Sequence, residues 1–350
     1  MRLLVTGGAG FIGTNFVRYV HSARPDWHIR VLDKLTYAGR RENLQDLEGS
    51  GRYQFVRGDI CDPVAVRGVM SDVDAVVNFA AETHVDRSIM DAGSFVRTDI
   101  EGVWVLLEEL RRGSPAGDST RFIQISTDEV YGSVEQGLSK ESDQLRPTSP
   151  YSASKAGGEL LAMAYFHTHG VAVTVTRSSN NYGPWQYPEK LIPLFITNAL
   201  EGQPLPLYGD GGNRRDWLYV EDQCAALLAV LEKGTPGAVY NIGGGQELEN
   251  SRVARAIVEA TGASEDLIRL VADRPGHDRR YGLDCSRVRT ETGWHPVTPF
   301  EEGLARTVEW YRENVSWWSG IKSGEFRKYY ESMYGGRLSA GRGPSAGGKV

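Results

Sequence analysis

The sequence predicts an α/β fold in which a doubly wound parallel sheet is joined to a second, smaller α/β lobe. Three observations lead to this prediction. Short β-branched runs alternate with amphipathic stretches through the first half, a glycine-rich turn follows the first run, and the pattern loosens into Pro- and Gly-rich loops after Ser178. Alternating strands and helices are typical of a parallel sheet with helices on both faces, and right-handed crossovers wind such a sheet in both directions.

The order of the predicted elements suggests where the lobes divide. Candidate strands are residues 2–6, 28–32, 53–57, 75–79, 121–126 and 171–177, and helices between them should begin near Phe11, Pro63, Phe95 and Ser152. Later come a strand at 238–242 and helices near 221–232, 252–261 and 301–313. The chain should therefore pass between the lobes more than once. We expect a first lobe at 1–178, a second at 179–335 and a mobile tail at 336–350, where apolar content is too low to offset ordering entropy.

Composition argues against several classes of function. The net charge is −6 and Lys and Arg do not cluster, whereas nucleic-acid binding by counterion release needs a basic surface. Cys61, Cys224 and Cys285 are far apart and not spaced as metal ligands, so we expect reduced thiols and no metal site. An apolar run at 3–5 without a basic leader, and no later stretch of membrane-spanning length, favour a cytoplasmic protein without membrane or nucleic-acid partners.

Gly7, Gly10 and Gly13 lie in a turn that follows the first strand and opens the first helix. Side chains at the first two would block the tight turn or the approach of a pyrophosphate, and the third lets the helix pack close to the strand. The helix N-terminus then presents free N–H groups to phosphates. A turn that needs positive φ explains a lone glycine motif equally well, but the strand and helix around it favour a Rossmann-type dinucleotide site.

Asp33 indicates which dinucleotide binds. It ends the second strand, 20 residues after Gly13. A carboxylate there accepts hydrogen bonds from a ribose diol and repels a 2′-phosphate. We therefore predict NAD rather than NADP as the cofactor.

Tyr151 and Lys155 are four residues apart at the start of a predicted helix and share one face. A phenol with a pKa near ~10 is a poor base at neutral pH, but a nearby ammonium and an oxidised nicotinamide both favour the phenolate. Such a pair can accept the proton of an alcohol while its carbon gives hydride to the cofactor. An exposed Tyr/Lys pair on a helix is the alternative, and the spacing alone leaves both open.

With these two motifs the chain resembles the extended branch of the short-chain dehydrogenase/reductase superfamily, whose members act on nucleotide sugars. In that branch a Ser or Thr after the fifth strand hydrogen-bonds the sugar hydroxyl, and Thr127 stands in that place. Asp128 and Glu129 follow directly. A 4-epimerase, which only removes and returns one hydride, does not need this pair of carboxylates.

A dehydratase must also remove a proton from C5 and protonate the hydroxyl that leaves C6, and two carboxyl groups in different protonation states suit these tasks. The resemblance assigns Asp128 as the acid and Glu129 as the base. Because neighbours on a strand point to opposite faces, this assignment requires that the strand has ended before Asp128. The alternative is that both carboxylates merely stabilise a helix N-terminus.

The resemblance extends from Arg2 to about Trp318 and is closest to the dTDP-glucose 4,6-dehydratase family. It rests on AAETHVDRS at 80–88, NNYGP at 180–184, PEKLIP at 188–193, PLPLYGDG at 204–211, RDW at 215–217, NIGG at 241–244 and RPGHD at 274–278. It implies cofactor contacts by Gly7, Gly10, Phe11, Ile12, Gly13, Asp33, Lys34, Leu35, Thr36, Asp59, Ile60, Ala80, Ala81, Thr98, Tyr151, Lys155 and Asn181. It implies substrate contacts by Thr83, His84, Thr127, Asn180, Glu189, Lys190, Leu191, Pro206, Tyr208, Arg215, Asn250, Arg274, His277 and Tyr281.

Some of these residues have more specific expected roles. Lys190 and Arg215 would lie near the diphosphate, and Pro206 and Tyr208 near the nucleobase. Arg214, beside Arg215, leaves the phosphate-contacting arginine open. Asp59 would meet the adenine edge, or cap the helix that starts at Pro63. His84 would lie beside nicotinamide and substrate, or be a buried, hydrogen-bonded histidine.

The resemblance implies conversion of dTDP-glucose into dTDP-4-keto-6-deoxyglucose and water with tightly held, recycled NAD. C4 is oxidised, water is eliminated across C5 and C6, and hydride returns to C6. The alternatives are a dehydratase for another nucleoside-diphosphate hexose, a nucleotide-sugar 4-epimerase or decarboxylase, and a dinucleotide sensor, against which the presence of Tyr151 and Lys155 argues. A homodimer through the helices near 95–111 and 152–169 is also implied.

Overall fold

The computed structural model describes residues 1–113, 120–274 and 276–340. The strands are β1 Arg2–Thr6, β2 His28–Asp33, β3 Tyr53–Arg57, β4 Ala75–Asn78, β5 Arg121–Thr127, β6 Val173–Ser178, β7 Asn180–Tyr182, β8 Leu205–Tyr208, β9 Arg214–Tyr219, β10 Val239–Ile242, β11 Glu247–Glu249 and β12 Ile268–Val271. The α-helices are α1 Phe11–Ala23, α2 Pro63–Met70, α3 Val85–Met90, α4 Ala92–Val96, α5 Val103–Gly113, α6 Pro150–His169, α7 Leu191–Leu200, α8 Val220–Lys233, α9 Asn250–Thr261, α10 Ser286–Thr292, α11 Phe300–Glu313, α12 Val315–Lys322, α13 Glu325–Tyr330 and α14 Gly336–Ala340.

The main sheet has the strand order β10-β6-β5-β4-β1-β2-β3, and every neighbouring pair in it is parallel. This confirms the predicted doubly wound α/β fold. Leu3 and Val5 of β1 pack in the core on one face of the sheet, and Leu4 packs in the core on the other. Because successive side chains of a strand point to opposite faces, a strand buried on both sides appears in the sequence as an unbroken apolar run.

The second lobe contains two small sheets, β11-β9-β7 and β12-β8. Its core is largely aromatic, with Tyr182, Phe195 and Tyr311 fully buried. Trp318 belongs to this core and Trp317 packs against it. The Trp317 indole also donates to Asn43 Oδ1 of the first lobe, at 2.9 Å, so Trp317 helps to join the lobes.

Several predicted elements differ in their limits. The sixth strand begins at Val173 rather than residue 171, because α6 continues to His169 and ends in the left-handed Gly170. The helix expected near Phe95 is α4, a π turn at Arg97–Gly102 and α5 in succession. The expected tail starts with α14, while 341–350 lie outside the described residues.

No helix within the three described ranges is long and apolar enough to cross a membrane. Cys61, Cys224 and Cys285 are all free thiols, and the last two are buried. Burial raises the pKa of the Cys61 thiol to about 12, so this partly exposed cysteine is a weak nucleophile at neutral pH.

Candidate active site

A cavity of about 400 Å³ lies between the lobes, at the carboxyl ends of the parallel strands. This is where open α/β sheets bind their ligands. The cavity is lined by the predicted site residues Gly7, Gly10, Phe11, Ile12, Gly13, Asp33, Lys34, Thr36, Asp59, Ile60, Ala80, Ala81, Thr83, His84, Thr98, Thr127, Asp128, Glu129, Tyr151, Lys155, Asn180, Asn181, Glu189, Lys190, Leu191, Pro206, Tyr208, Arg215, Asn250, Arg274, His277 and Tyr281. Leu35 is the one predicted site residue outside this lining, although its neighbours Lys34 and Thr36 belong to it.

The glycine turn has the shape that a pyrophosphate needs. Gly7 has φ +68°, and a Cβ there would lie 2.5 Å from Ala80 N. A Cβ on Gly13 would lie 2.3 Å from Gly7 O, so only glycine lets α1 approach the turn this closely. No side chain caps the N-terminus of α1 at Gly10, which leaves its first N–H groups available to an anion. These features fit a bound dinucleotide.

Asp33 is held in place by the backbone around it. Its carboxylate accepts hydrogen bonds from Ala9 N at 2.9 Å and Leu35 N at 2.8 Å, while burial raises its pKa. Leu35, which has φ 58°, therefore orients the carboxylate through its backbone N–H.

Asp59 forms an ion pair with Lys34 at 2.7 Å and accepts a hydrogen bond from Cys61 N. Its alternative role as a helix cap is wrong, because Asp62 caps α2 through Val64 N. The Lys34–Asp59 pair lies at the adenine end of the proposed cofactor site.

The predicted catalytic pair of α6, Tyr151 and Lys155, follows a strong helix start. Ser149 and Ser152 form a reciprocal capping box, and Pro150 occupies the first turn. Lys155 is 4% exposed, and burial lowers its pKa. Tyr151 lines the cavity and hydrogen-bonds the Thr127 side chain.

The residues around Tyr151 together do not lower the pKa of its phenol, although the sequence predicted that Lys155 would favour the phenolate. Burial, followed by the charges of Glu129 and Asp99, raises it well above its usual value. Lys155 is not among the dominant influences on this pKa. The expected stabilisation of the phenolate therefore depends on the positive charge that an oxidised nicotinamide brings.

Asp128 and Glu129 lie in a single 3₁₀ turn, Asp128–Tyr131, that begins as soon as β5 ends at Thr127. The change of backbone that the acid and base assignment required is therefore present. Both side chains line the cavity, so a role confined to a helix N-terminus does not account for them.

The two carboxyl groups differ in environment. Asp128 is 3% exposed, and burial together with the Glu129 charge raises its pKa well above its usual value. Its Oδ1 accepts a hydrogen bond from the Thr127 hydroxyl at 3.2 Å, while the buried Oδ2 has no protein partner among the described residues. Burial and the Glu129 charge thus favour the protonated form of Asp128 next to a second carboxyl group, the arrangement that separates acid from base.

Asp99 lies beneath this centre and was not predicted from the sequence. The π turn buries its carboxyl group, which accepts a hydrogen bond from Ser154 Oγ at 2.6 Å and one from Glu82 N at 3.0 Å. Burial raises the pKa of Asp99 to about 6, and the charge of Lys155 opposes that rise. Nothing in local sequence marks this residue, because it depends on packing between two helices.

The second lobe contributes charged groups in buried pairs. Glu189 is 4% exposed and accepts hydrogen bonds from Tyr37 Oη at 2.7 Å and Arg87 Nε at 2.9 Å. Arg274 forms an ion pair with Asp86 at 3.3 Å. Asp86 and Arg87 lie in the stretch at 80–88 that carried the resemblance, but their roles were not recognised.

Arg215 and Arg214 differ in exposure and in position relative to the cavity. Arg215 is 5% exposed, lines the cavity and lies 4.4 Å from the centre of the Tyr281 ring. Arg214 is exposed and forms an ion pair with Glu247 outside the cavity lining. Between these neighbours, Arg215 is therefore the candidate for contact with a diphosphate.

Two histidines border the second-lobe side of the cavity. His84 has a positive φ of 92°, and its ring contacts Glu189 O at 3.3 Å and Tyr329 Oη at 3.1 Å. Burial lowers its pKa well below the usual value, so it is a neutral, hydrogen-bonded residue that also lines the cavity. Burial likewise lowers the pKa of His277 to about 4.

Several buried polar atoms of the cavity lining have no hydrogen-bond partner within the described ranges. They are Asn180 Oδ1, Asn181 Oδ1, Asn250 Oδ1 and Arg274 Nε. Buried polar groups are usually paired, so these atoms indicate a polar ligand.

The cavity lining also includes residues that the sequence did not predict, among them Gln186, Tyr187, Phe195 and Tyr334. Tyr334 lies in none of the sequence motifs.

Known proteins share this architecture and these motifs. The family model for GDP-mannose 4,6 dehydratase matches residues 4–307. The dTDP-glucose 4,6-dehydratase of Streptomyces niveus is 54% identical over 327 residues, which cover 92% of this chain and 96% of that protein. The chain belongs to the dTDP-glucose 4,6-dehydratase family.

Solved structures of two kinds of enzyme share this fold. DesIV, the dTDP-glucose 4,6-dehydratase of Streptomyces venezuelae, was crystallised with NAD bound and matches with a TM-score of 0.89 and 50% identity, covering 92% of this chain and 100% of that chain. The UDP-glucose 4-epimerase of Thermus thermophilus, in complex with NAD, matches with a TM-score of 0.82 and 32% identity, covering 90% and 100%. Dehydratase and epimerase thus share the fold, and the residues at the reacting centre have to distinguish them.

Proposed function

We propose that the chain converts dTDP-glucose into dTDP-4-keto-6-deoxyglucose and water, as an NAD-dependent hydro-lyase. The observation that carries this proposal is the buried Asp128 beside Glu129, in one cleft with Tyr151 and Lys155. Membership of the dehydratase family supports it, and so do the partnerless polar atoms of the second lobe.

Each residue of the centre has a defined task in the proposed reaction. Thr127 and Tyr151 hold the C4 hydroxyl, and Tyr151 accepts its proton. The resulting 4-ketone acidifies the C5 hydrogen, which Glu129 removes, while Asp128 protonates the C6 oxygen so that water leaves. Bound NAD supplies the acceptor for hydride from C4 and the donor that returns it to C6. A proton returned to C5 completes the 4-keto-6-deoxy sugar.

The binding assignments belong to the same proposal. The glycine turn, Asp33 and the Lys34–Asp59 pair would hold the dinucleotide, while Lys190 and Arg215 would hold the diphosphate. Burial lowers the pKa of Lys190 and so opposes its charged form, which a nearby diphosphate would restore. Pro206 and Tyr208 would border the base. We divide the chain functionally at about residue 178, with the second lobe as the sugar-nucleotide side.

Mass spectrometry of the products tests this function against its alternatives. We expect dTDP-glucose to lose the mass of one water, without accumulation of reduced cofactor. A 4-epimerase would leave the mass unchanged, and a sensor would leave the substrate intact. Parallel incubations with UDP-, CDP- and GDP-hexoses would show whether another base is preferred.

We also propose a homodimer in the cytoplasm. Val96, Trp104 and Leu160 are 53%, 44% and 59% exposed, on α4, α5 and α6 respectively. An exposed apolar patch on paired helices is typical of a subunit interface. Light scattering should give a dimer for the wild type and a monomer for Trp104→Glu with Leu160→Asp; a monomeric wild type would contradict this proposal.

A further inference from the structure

The C-terminal segment, defined here as residues 326–338, lies against walls of the cleft from both lobes. Phe326 and Tyr334 are buried in the core of the second lobe. Tyr329 reaches the first lobe, where its hydroxyl contacts His84 Nδ1 at 3.1 Å. Its ring also lies 4.3 Å from the Arg87 guanidinium, which packs against Tyr37 on its other side at 3.8 Å. The segment is therefore anchored at the cavity by specific contacts.

Tyr334 is the residue of this segment that lines the cavity. It is 5% exposed, and its ring centre lies 5.9 Å from that of Tyr208, with an angle of 35° between the planes. The His277 ring is also 5.9 Å from the Tyr208 ring and nearly perpendicular to it. The three rings form a continuous aromatic surface on the second-lobe side of the cavity.

Arg337 packs against the same surface. Its guanidinium carbon is 5.2 Å from the centre of the Tyr208 ring, a distance at which a cation is attracted to the ring. Its buried Nη1 has no hydrogen-bond partner in the part of the chain that the structure describes. Arg337 thus holds the position of Tyr208 without being engaged there by a strong acceptor.

We infer that the C-terminal segment completes the nucleobase subsite, with Tyr334 as a direct contact for the base and Arg337 as a positioning residue for Tyr208. This inference rests on the proposed function, in which Tyr208 borders the base. Flat aromatic rings bind the face of a base, and Tyr334 extends the Tyr208 ring toward the interior. The site is thereby built from three separate parts of the chain: β8, the loop around His277 and the C-terminal segment.

The test compares Tyr334→Ala, Tyr334→Leu and Tyr334→Phe, using dTDP-glucose as substrate and dTDP as a competitive inhibitor. Tyr334→Ala should raise both KM and the Ki of dTDP about tenfold or more, since a base stacked on an aromatic ring contributes at that level. We expect kcat to stay within about threefold, because the reacting groups are elsewhere. Tyr334→Phe should bind like the wild type. Tyr334→Leu keeps apolar bulk without a flat ring, and it serves if the alanine variant does not fold.

Arg337→Ala should raise KM and the Ki of dTDP by a smaller factor, about threefold. Arg327→Ala is the matched control, because Arg327 lies on the exposed side of the segment and pairs with Glu331. If Tyr334→Leu folds and its Ki for dTDP is unchanged, the inference is overturned. Normal turnover by the wild type would still leave the proposed function intact. A parallel loss of kcat, bound NAD and thermal stability in the Tyr334 variants would also overturn the inference, because it indicates a structural role. A wild type that neither binds dTDP nor makes product defeats the proposed function, and the inference with it.

Discussion

The two ends of the cleft are built from the chain in different ways. At the sheet end, the reacting groups come from three consecutive residues at the end of β5, Thr127 to Glu129, and from one turn of α6 that carries Tyr151 and Lys155. At the second-lobe end, the cavity lining comes from β8, β9, the loop around His277 and the C-terminal segment, which are far apart in sequence. The first end is set by local backbone geometry, whereas the second depends on tertiary packing.

This difference has a kinetic consequence. Changes at the sheet end should affect chemical steps at a nearly constant substrate affinity, while changes at the second-lobe end should affect affinity with little change in chemistry. The predictions below test that separation, from the largest expected effect to the smallest.

Glu129→Gln should lower formation of the 4-keto-6-deoxy product by about 10²- to 10⁴-fold, the usual range for removal of a general base. Oxidation at C4 should survive in part, since Tyr151 and Lys155 are unchanged. Single-turnover absorbance of the reduced cofactor, with mass analysis of the product, separates the two steps. Normal product formation would refute the assignment of Glu129 as the base.

Tyr151→Phe should suppress the first oxidation by a similar or somewhat smaller factor, because the phenol that accepts the C4 proton is lost. In Tyr151→Phe, formation of the reduced cofactor and formation of the product should fall together. Retained binding of dTDP, measured by calorimetry, would show that the second-lobe end is intact. If C4 oxidation persists at the wild-type rate, another group is the base for the first step.

Arg215→Met should weaken binding of dTDP roughly 10- to 100-fold, as expected for loss of charge-assisted hydrogen bonds. We expect kcat to change no more than about threefold. Arg214→Met is the matched control, since that neighbour is exposed and outside the cavity lining. Equal effects of the two substitutions would contradict the distinction between them.

Asp99→Asn should change stability over a narrow pH range. The pKa of this carboxyl group is raised from 3.8 to about 6 in the folded chain, so the folded state holds the proton more tightly than the unfolded state. The free energy of unfolding should therefore fall as pH rises between about 4 and 6, by up to roughly 3 kcal/mol at 1.36 kcal/mol per pKa unit. Asn cannot ionise and should remove this slope.

Urea denaturation of the wild type and Asp99→Asn at pH 4 and pH 7 measures this difference. Asp26→Asn, at an exposed position, provides the control for loss of one carboxyl group. Identical pH slopes for the wild type and Asp99→Asn would show that Asp99 does not carry the shift.

Sequence prediction was successful where a pattern is local. The predicted strands at 2–6 and 53–57 coincide with β1 and β3, because an apolar run between a turn and a helix has few alternatives. The turn of the chain at Asp128, required by the assignment of two neighbouring carboxyl groups, is present as a 3₁₀ turn.

Prediction failed where several segments act together. Asp99 is buried by a π turn and bonded by Ser154 of another helix, and neither feature has a sequence signal. The raised pKa of Tyr151 reflects burial and two carboxyl groups brought near by the fold. In the same way, α14 lies in a stretch whose composition suggested no order, and Leu338 there packs against the second-lobe core.

The return of the chain to the main sheet limits how this protein can be divided. Strand β10 completes the sheet beside β6, although residues 179–238 separate the two strands in sequence. A recombinant fragment that stops at Ser178 would leave β6 as an uncovered edge with unpaired backbone groups, which favours aggregation. Exchange of the sugar-nucleotide half between homologous enzymes would therefore need at least two crossover points, one on each side of β10.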